Sequence, residues 1–183
     1  AKNMGISACV IMPKNTPLNK IENVKRYGGR IFFCEPNISS REETLYQMVK
    51  KSGASIIHPY NDHKIITGQG TAAKELIEEV KDLDSIICPV SGDGLLSGTI
   101  LTAKALKPNL KIYGAEPENA DDTYRTIMNN KIMSNGTTDT IADGVRAQVG
   151  TLTVPIIKDH VAEILLVSEN MIIDSMYVIW QRL

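Results

Sequence analysis

Along most of the chain, short apolar runs closed by glycine or proline alternate with longer stretches whose apolar residues recur every three or four positions. A short run of this kind has the length of a buried strand, while the longer period gathers apolar side chains on one face of a helix. Regular alternation of the two builds βα units, because parallel strands need a crossover between them and the usual crossover is a helix. The chain therefore reads as α/β, with open parallel sheets in a three-layer αβα arrangement. Its 183 residues suffice for one ordinary domain or for parts of two smaller ones.

Strands are expected over 6–12, ended by Pro13, over 30–34, and over a short run at 54–57 closed by His58 and Pro59. Thr16 is placed to cap a helix that opens on Pro17, carries Ile21, Val24 and Tyr27 at helical spacing, and stops at Gly28-Gly29. Ser39 and Ser40 each precede a glutamate by three positions, Glu42 and Glu43, so either pair makes a capping box for the next helix. Residues 1–61 thus form one lobe of β-α-β-α-β order. Residues 62–183 form a second, with helices over 67–80 and 95–106 and strands over 85–90, 111–115 and 162–167. A last helix opens at Ser168-Glu169 and runs through Trp180, whose indole is expected in the core.

Charge and composition exclude several classes of function. Twenty Lys and Arg against 21 Asp and Glu leave a net charge of -1, with no positive excess to neutralise nucleic acid or an anionic membrane surface. No window approaches the roughly 18 apolar residues of a spanning helix. The opening Ala1-Lys2-Asn3-Met4-Gly5 lacks the pattern of an export signal, so a cytoplasmic location is expected. Cys9, Cys34 and Cys88 show no C-x-x-C spacing and read as buried reduced thiols. His58, His63 and His160 fit no metal or triad spacing.

Two segments carry residues suited to chemistry. Ser91, Gly92, Asp93, Gly94 and Leu95 follow the most apolar strand and open a helix. Amides without intrahelical acceptors and the positive end of the helix dipole converge at such a place and can cradle an anion. Taken alone, the glycines also read as residues needed only to turn. Glu116, Glu118, Asp121 and Asp122 offer hard oxygen ligands for Mg²⁺ or Ca²⁺, or else form a solvated acidic turn.

The order and spacing of several motifs resolve these alternatives. Thr67-Gly68-Gln69-Gly70-Thr71 precedes Pro89-Val90-Ser91-Gly92-Asp93-Gly94-Leu95-Leu96-Ser97-Gly98, and Lys104-Ala105-Leu106-Lys107-Pro108 comes next. Gly114-Ala115-Glu116-Pro117-Glu118-Asn119-Ala120-Asp121-Asp122 and Thr140-Ile141-Ala142-Asp143-Gly144-Val145 then follow. Over essentially its whole length the chain resembles the serine racemases and related serine/threonine dehydratases, pyridoxal-phosphate enzymes of the tryptophan-synthase-β fold type. Cys34-Glu35-Pro36 and Ser40-Arg41-Glu42 tilt the likeness toward serine racemase.

The resemblance implies that residues 1–61 belong to a small domain and 62–183 to a large cofactor-binding domain. Ser91, Gly92, Asp93, Gly94 and Leu95 would hold the phosphate of pyridoxal 5'-phosphate, and Gly144 would lie beside its ring. Asp93 stands where the family has glycine, and its carboxylate is expected to weaken phosphate binding unless it points away. At about 4 Å and an effective dielectric near 20, two unit charges repel by roughly 4 kcal/mol. Glu116, the Ala120 carbonyl and Asp122 match a divalent-cation site for Mg²⁺ or Ca²⁺. Arg41 matches a residue that reaches the carboxylate of the substrate, serine or threonine, and a guanidinium pairs well with one, although a place in the solvated first turn of a capped helix accounts for it equally. Tyr27 resembles a position near a nucleotide effector site, although packing in the core on its helix accounts for it more readily.

A homodimer is implied as well. The family's cofactor-bonded lysine, in a Ser-x-Lys-x-Arg-like stretch, has no counterpart in this text, nor has the Ser-x-Asn-His-like loop bearing the second base. The expectation is therefore a racemase that also dehydrates serine to pyruvate and ammonia when whole, with these 183 residues inactive alone. The alternatives are a threonine/serine ammonia-lyase, or a non-catalytic remnant that acts by subunit pairing or cation binding.

Overall fold

The computed structural model describes residues 1–136 and 138–182; Thr137 and Leu183 lie outside the described residues. The chain divides into two compact units, Ala1–Ile56 and Ile57–Leu183.

The first unit holds β1 (Cys9–Pro13), α1 (Leu18–Arg26), β2 (Arg30–Cys34) and α2 (Ile38–Ser52). The strands pair in parallel, with Cys9 opposite Arg30 and Pro13 opposite Cys34. α1 is the crossover between them, and it buries Ile21. Gly28, at φ 76, turns the chain back toward β2.

Both helix starts differ from expectation for one reason: the hydroxyls have nearer partners. Thr16 donates to the Pro13 carbonyl at 2.7 Å, leaving Pro17 in the cap position. The Ser40 hydroxyl accepts the Glu35 amide at 3.0 Å, and α2 is capped by Asn37, whose side chain accepts the Ser40 amide at 2.8 Å. The run at 54–57 is not a strand: Gly53 closes α2 in the left-handed region, and Ile56 and Ile57 are 54% and 74% exposed. Tyr27 is likewise exposed rather than packed.

The second unit holds α3 (His63–Glu79), β3 (Ser85–Pro89), α4 (Gly94–Leu106), β4 (Lys111–Pro117), α5 (Asp122–Asn129), α6 (Thr153–His160), β5 (Glu163–Val167) and α7 (Glu169–Arg182). The sheet is parallel with the order β3-β4-β5. α3 begins at His63 rather than Thr67 because Asp62 accepts the Lys64 and Ile65 amides at 2.8 and 3.2 Å. α6 tolerates Pro155 because a first-turn amide has no intrahelical acceptor to lose.

Val90, Leu96, Ile100, Ala103, Ile112 and Ile157 are fully buried and bind β3, α4, β4 and α6 into one core. Each large aliphatic side chain so buried contributes about 1.5–3 kcal/mol. Alternation along β3 buries Ile86 and Cys88 and leaves Ile87 63% exposed.

Gly70 and Gly98 set how closely α3 and α4 cross. A Cβ on Gly98 would stand 2.4 Å from the Ile66 carbonyl oxygen and 2.6 Å from the Gly70 nitrogen. Helix packing thus accounts for Gly70, though not for Gly68, which has open space around it, and the Thr102 hydroxyl donates to the Gly70 carbonyl across the same crossing at 3.1 Å.

No residue of α7 is buried among the described residues, and Trp180 is 86% exposed rather than in the core. The helix is amphipathic, and its apolar side, with Met176, Ile179 and Trp180, is exposed among the described residues. No described helix is long and apolar enough to cross a membrane. Of the cysteines, Cys34 and Cys88 are buried, Cys9 is intermediate, and all three are free.

Candidate cofactor and cation site

The turn between β3 and α4 is built from two consecutive left-handed residues, Gly92 at φ 57 and Asp93 at φ 67. Glycine reaches that region without strain, and aspartate does so less readily. At Gly92 there is a second requirement, since a Cβ would meet the Tyr60 ring at 2.5 Å; one on Gly94 would meet the Tyr60 Cβ at 3.0 Å. The turn therefore lies against Tyr60 with no room for side chains on that face.

Residues 147–153 hold the turn from the other side. The Ala147 amide donates to the Ser91 hydroxyl at 2.9 Å, the Gly92 amide donates to the Ala147 carbonyl at 3.2 Å, and Ser91 Oγ donates to that same carbonyl at 3.4 Å. The Gly92 amide is thus already engaged, unlike a free member of an anion cradle. The amides of Gly94 and Leu95 open α4, where a helix lacks acceptors of its own. Asn61 extends the scaffold, accepting the Leu152 amide at 2.8 Å and donating to the Thr151 hydroxyl at 3.1 Å.

Asp93 does not stand open on the cradle. Only 1% exposed, it accepts the Thr123 hydroxyl on Oδ2 at 3.0 Å, while its buried Oδ1 has no hydrogen-bond partner. Burial pushes its carboxyl up to about 7, moderated by the Thr123 hydrogen bond and reinforced by the Asp122 charge.

That carboxyl belongs to an acidic cluster. Glu116, fully buried at the end of β4, accepts the Thr123 amide on Oε1 at 3.0 Å and the Tyr124 amide on Oε2 at 2.8 Å. It serves as an acidic clasp on the first turn of α5. Asp122, 1% exposed, accepts the Val149 amide on Oδ2 at 2.6 Å and the Asn135 side chain on Oδ1 at 2.5 Å.

Burial raises Glu116 to about 8 and raises Asp122 as well, despite the hydrogen bonds they accept. The Arg125 guanidinium pairs with Asp121 at 2.7 Å rather than with any of the three buried carboxyls. Ala120 is 2% exposed in the single 3-10 turn between Glu116 and Asp122.

Among the described residues, no three His, Cys, Asp or Glu side chains converge as a ready-made metal shell. Two carboxylates, a backbone carbonyl and retained waters remain an adequate donor set for a hard cation. Each carboxylate oxygen that accepts one amide keeps lone-pair capacity for a second partner.

Gly144 is exposed with open space where a Cβ would lie, three positions before Ala147. Arg41 lies exposed in the first unit, in the first turns of α2. Sequence reasoning missed Tyr60, Asn61, Thr123, Asn135 and Ala147, all of which act through tertiary contacts that no periodicity marks. It also assigned no role to His58, whose Nδ1 accepts the Asn61 amide at 2.8 Å and so shapes the approach to the turn.

Comparison with known proteins gives this geometry a family. A pyridoxal-phosphate dependent enzyme model matches residues 1–182. Serine racemase of Oryza sativa subsp. indica is 44% identical over 183 residues, covering 100% of this chain and 54% of the relative. The β-hydroxyaspartate dehydratase of Paracoccus denitrificans is 44% identical over 179 residues, covering 98% of this chain and 57% of the relative. The structure of maize serine racemase superposes with a TM-score of 0.96 at 43% identity, covering 98% of this chain and 55% of that one. The chain spans about half the length of the curated relatives it matches. On the match over residues 1–182, the chain belongs to the pyridoxal-phosphate dependent enzyme family.

Proposed function

We propose that the whole protein is a pyridoxal-phosphate enzyme of the serine racemase and dehydratase type, with residues 1–61 in its small domain and 62–183 in its cofactor-binding domain. The carrying observation is the turn at residues 91–95: left-handed, closed to side chains by Tyr60, and opening α4 with amides that have no helical acceptor. When bound, the cofactor supplies an electron sink for negative charge at the α-carbon of an amino acid.

The chain's own residues do the holding. Gly94 and Leu95 offer amides to the phosphate, and Ser91, through Ala147, keeps the turn in shape. Gly144 leaves space for the ring. Arg41 binds the carboxylate of serine or threonine. Glu116, Asp122 and the Ala120 carbonyl hold Mg²⁺ or Ca²⁺, whose charge offsets the cost of burying their carboxylates. A homodimer, a cytoplasmic location and a nucleotide effector near the exposed Tyr27 belong to the same reading.

Similarity to a β-hydroxyaspartate dehydratase favours dehydration as a second activity. The test is to supply the purified full-length protein with pyridoxal phosphate, Mg²⁺ and L-serine, and to follow D-serine by chiral chromatography and pyruvate by coupled absorbance. Both products are expected. If neither forms faster than in buffer, with L-threonine equally inert, the reading fails.

A further inference from the structure

Asp93 combines three features that an ordinary turn residue lacks. It is a non-glycine residue at φ 67, its carboxyl is 1% exposed, and Oδ1 is buried without a partner. Glycine would adopt this backbone without the roughly 1–2 kcal/mol that a left-handed residue with a Cβ incurs. An unpaired buried carboxylate oxygen adds a further desolvation cost. The turn itself needs neither expense, so the carboxylate has a partner to satisfy.

Its position says which partner. Oδ2 is fixed by the Thr123 hydroxyl at 3.0 Å, and Thr123 follows Asp122 and donates its amide to Glu116 at 3.0 Å. Through Thr123 the Asp93 carboxyl is therefore joined to the acidic cluster. It is not a third inner ligand, because among the described residues no three His, Cys, Asp or Glu side chains converge. Mg²⁺ retains several of its waters when protein-bound, and those waters need acceptors.

We propose that Asp93 is an outer-sphere member of the divalent-cation site, its Oδ1 accepting a hydrogen bond from a water on the cation held by Glu116, Asp122 and the Ala120 carbonyl. The inference rests on the cation reading above and deepens it. It turns the residue that interrupts the glycine loop into a link between that loop and the cation, so that binding the cation stiffens the turn from which α4 starts.

The experiment is a Tb³⁺ luminescence titration of the full-length protein, competed with Mg²⁺, with lifetimes in H₂O and D₂O counting metal-bound waters. Asp93→Gly suits the left-handed backbone and therefore folds; Asp93→Asn keeps the shape and removes the charge. Both are expected to weaken cation binding by about tenfold or more, as loss of an outer-shell partner does, with the count of bound waters unchanged. Glu116→Gln, by contrast, is expected to abolish tight binding.

If Asp93→Gly and Asp93→Asn bind as tightly as the wild type while Glu116→Gln does not, the inference is overturned and the cation reading stands. A bound water gained in Asp93→Gly overturns the outer-sphere assignment in favour of direct ligation. If Glu116→Gln also leaves binding unchanged, the cation reading itself falls.

Discussion

The Thr123 hydroxyl donates to Asp93 Oδ2 at 3.0 Å, and this one bond joins the turn after β3 to the first turn of α5. Both residues are buried, at 0% and 1% exposure, so water cannot replace either partner. Thr123→Val removes the hydroxyl from which Asp93 Oδ2 accepts. The expected cost is about 1–3 kcal/mol. In an Asp93→Gly background the same substitution has no carboxylate to strand and should cost far less. Urea melts of the four proteins in a double-mutant cycle measure the difference. Equal costs in the two backgrounds would show that the hydrogen bond carries no stability.

The three buried carboxyls give stability a definite pH dependence. Burial raises Asp93 from 3.8 to about 7 and Glu116 from 4.5 to about 8. Between the unfolded and folded values the native state holds protons that the unfolded chain has lost, so raising the pH favours unfolding. In cation-free buffer with a chelator, the contribution of these groups is fully present below about pH 4, declines as the pH rises toward 8, and levels off above that. The change is no more than about 9 kcal/mol, at about 1.4 kcal/mol for each pH unit by which Asp93 and Glu116 are raised. Excess Mg²⁺ should flatten the upper part of the curve by replacing protons with a cation. Thermal melts at pH 5, 6.5 and 8, with chelator and with Mg²⁺, check both statements; a melting temperature that rises with pH in chelator would contradict them.

What the sequence shows clearly is whatever repeats. β2, β3 and α4 could be read directly because Arg30–Cys34, Ser85–Pro89 and Gly94–Leu106 carry their own period and their own punctuation. Motif order made the turn at 91–95 and the Glu116-to-Asp122 segment legible as a pair. Single contacts stayed hidden. Asn37 took the cap that Ser39 or Ser40 was expected to fill, because Ser40 had the Glu35 amide within reach. The 54–57 run looked like a strand on composition, but a strand exists only where another strand pairs with it. Asp93 looked like a carboxylate beside a phosphate, and only the fold shows it turned toward Thr123.

The α3–α4 crossing makes a prediction independent of any ligand. Gly98→Ala would put a methyl group 2.4 Å from the Ile66 carbonyl oxygen and 2.6 Å from the Gly70 nitrogen, both backbone atoms that cannot rotate away. Alanine normally favours a helix interior over glycine by about 1 kcal/mol. Here the clash should outweigh that gain, for a net loss of about 1–3 kcal/mol as the helices are pushed apart. Gly68→Ala is the control: it lies on the same α3 helix with open space around it, and it should be neutral or stabilising. Denaturant melts of the two variants should differ in sign or clearly in size, and matching values would remove the crossing as the reason for these glycines.

The last prediction concerns Gly92, where two separate costs can be pulled apart. Its φ of 57 disfavours any Cβ, and a Cβ there would also stand 2.5 Å from the Tyr60 ring. Gly92→Ala therefore incurs both the left-handed penalty of about 1–2 kcal/mol and a steric clash. Because the Gly92 amide is tied to the Ala147 carbonyl, the turn can relieve the clash only by breaking that bond and misaligning the amides that follow it. Pyridoxal-phosphate affinity, read from cofactor absorbance on titration of the full-length protein, should fall by at least about tenfold, equivalent to roughly 1.4 kcal/mol. Adding Tyr60→Ala opens the space but leaves the backbone strain, so it should restore part of the affinity and not all of it. Full recovery would mean that sterics alone demand glycine. No loss in the single variant would mean that the phosphate is held somewhere other than this turn.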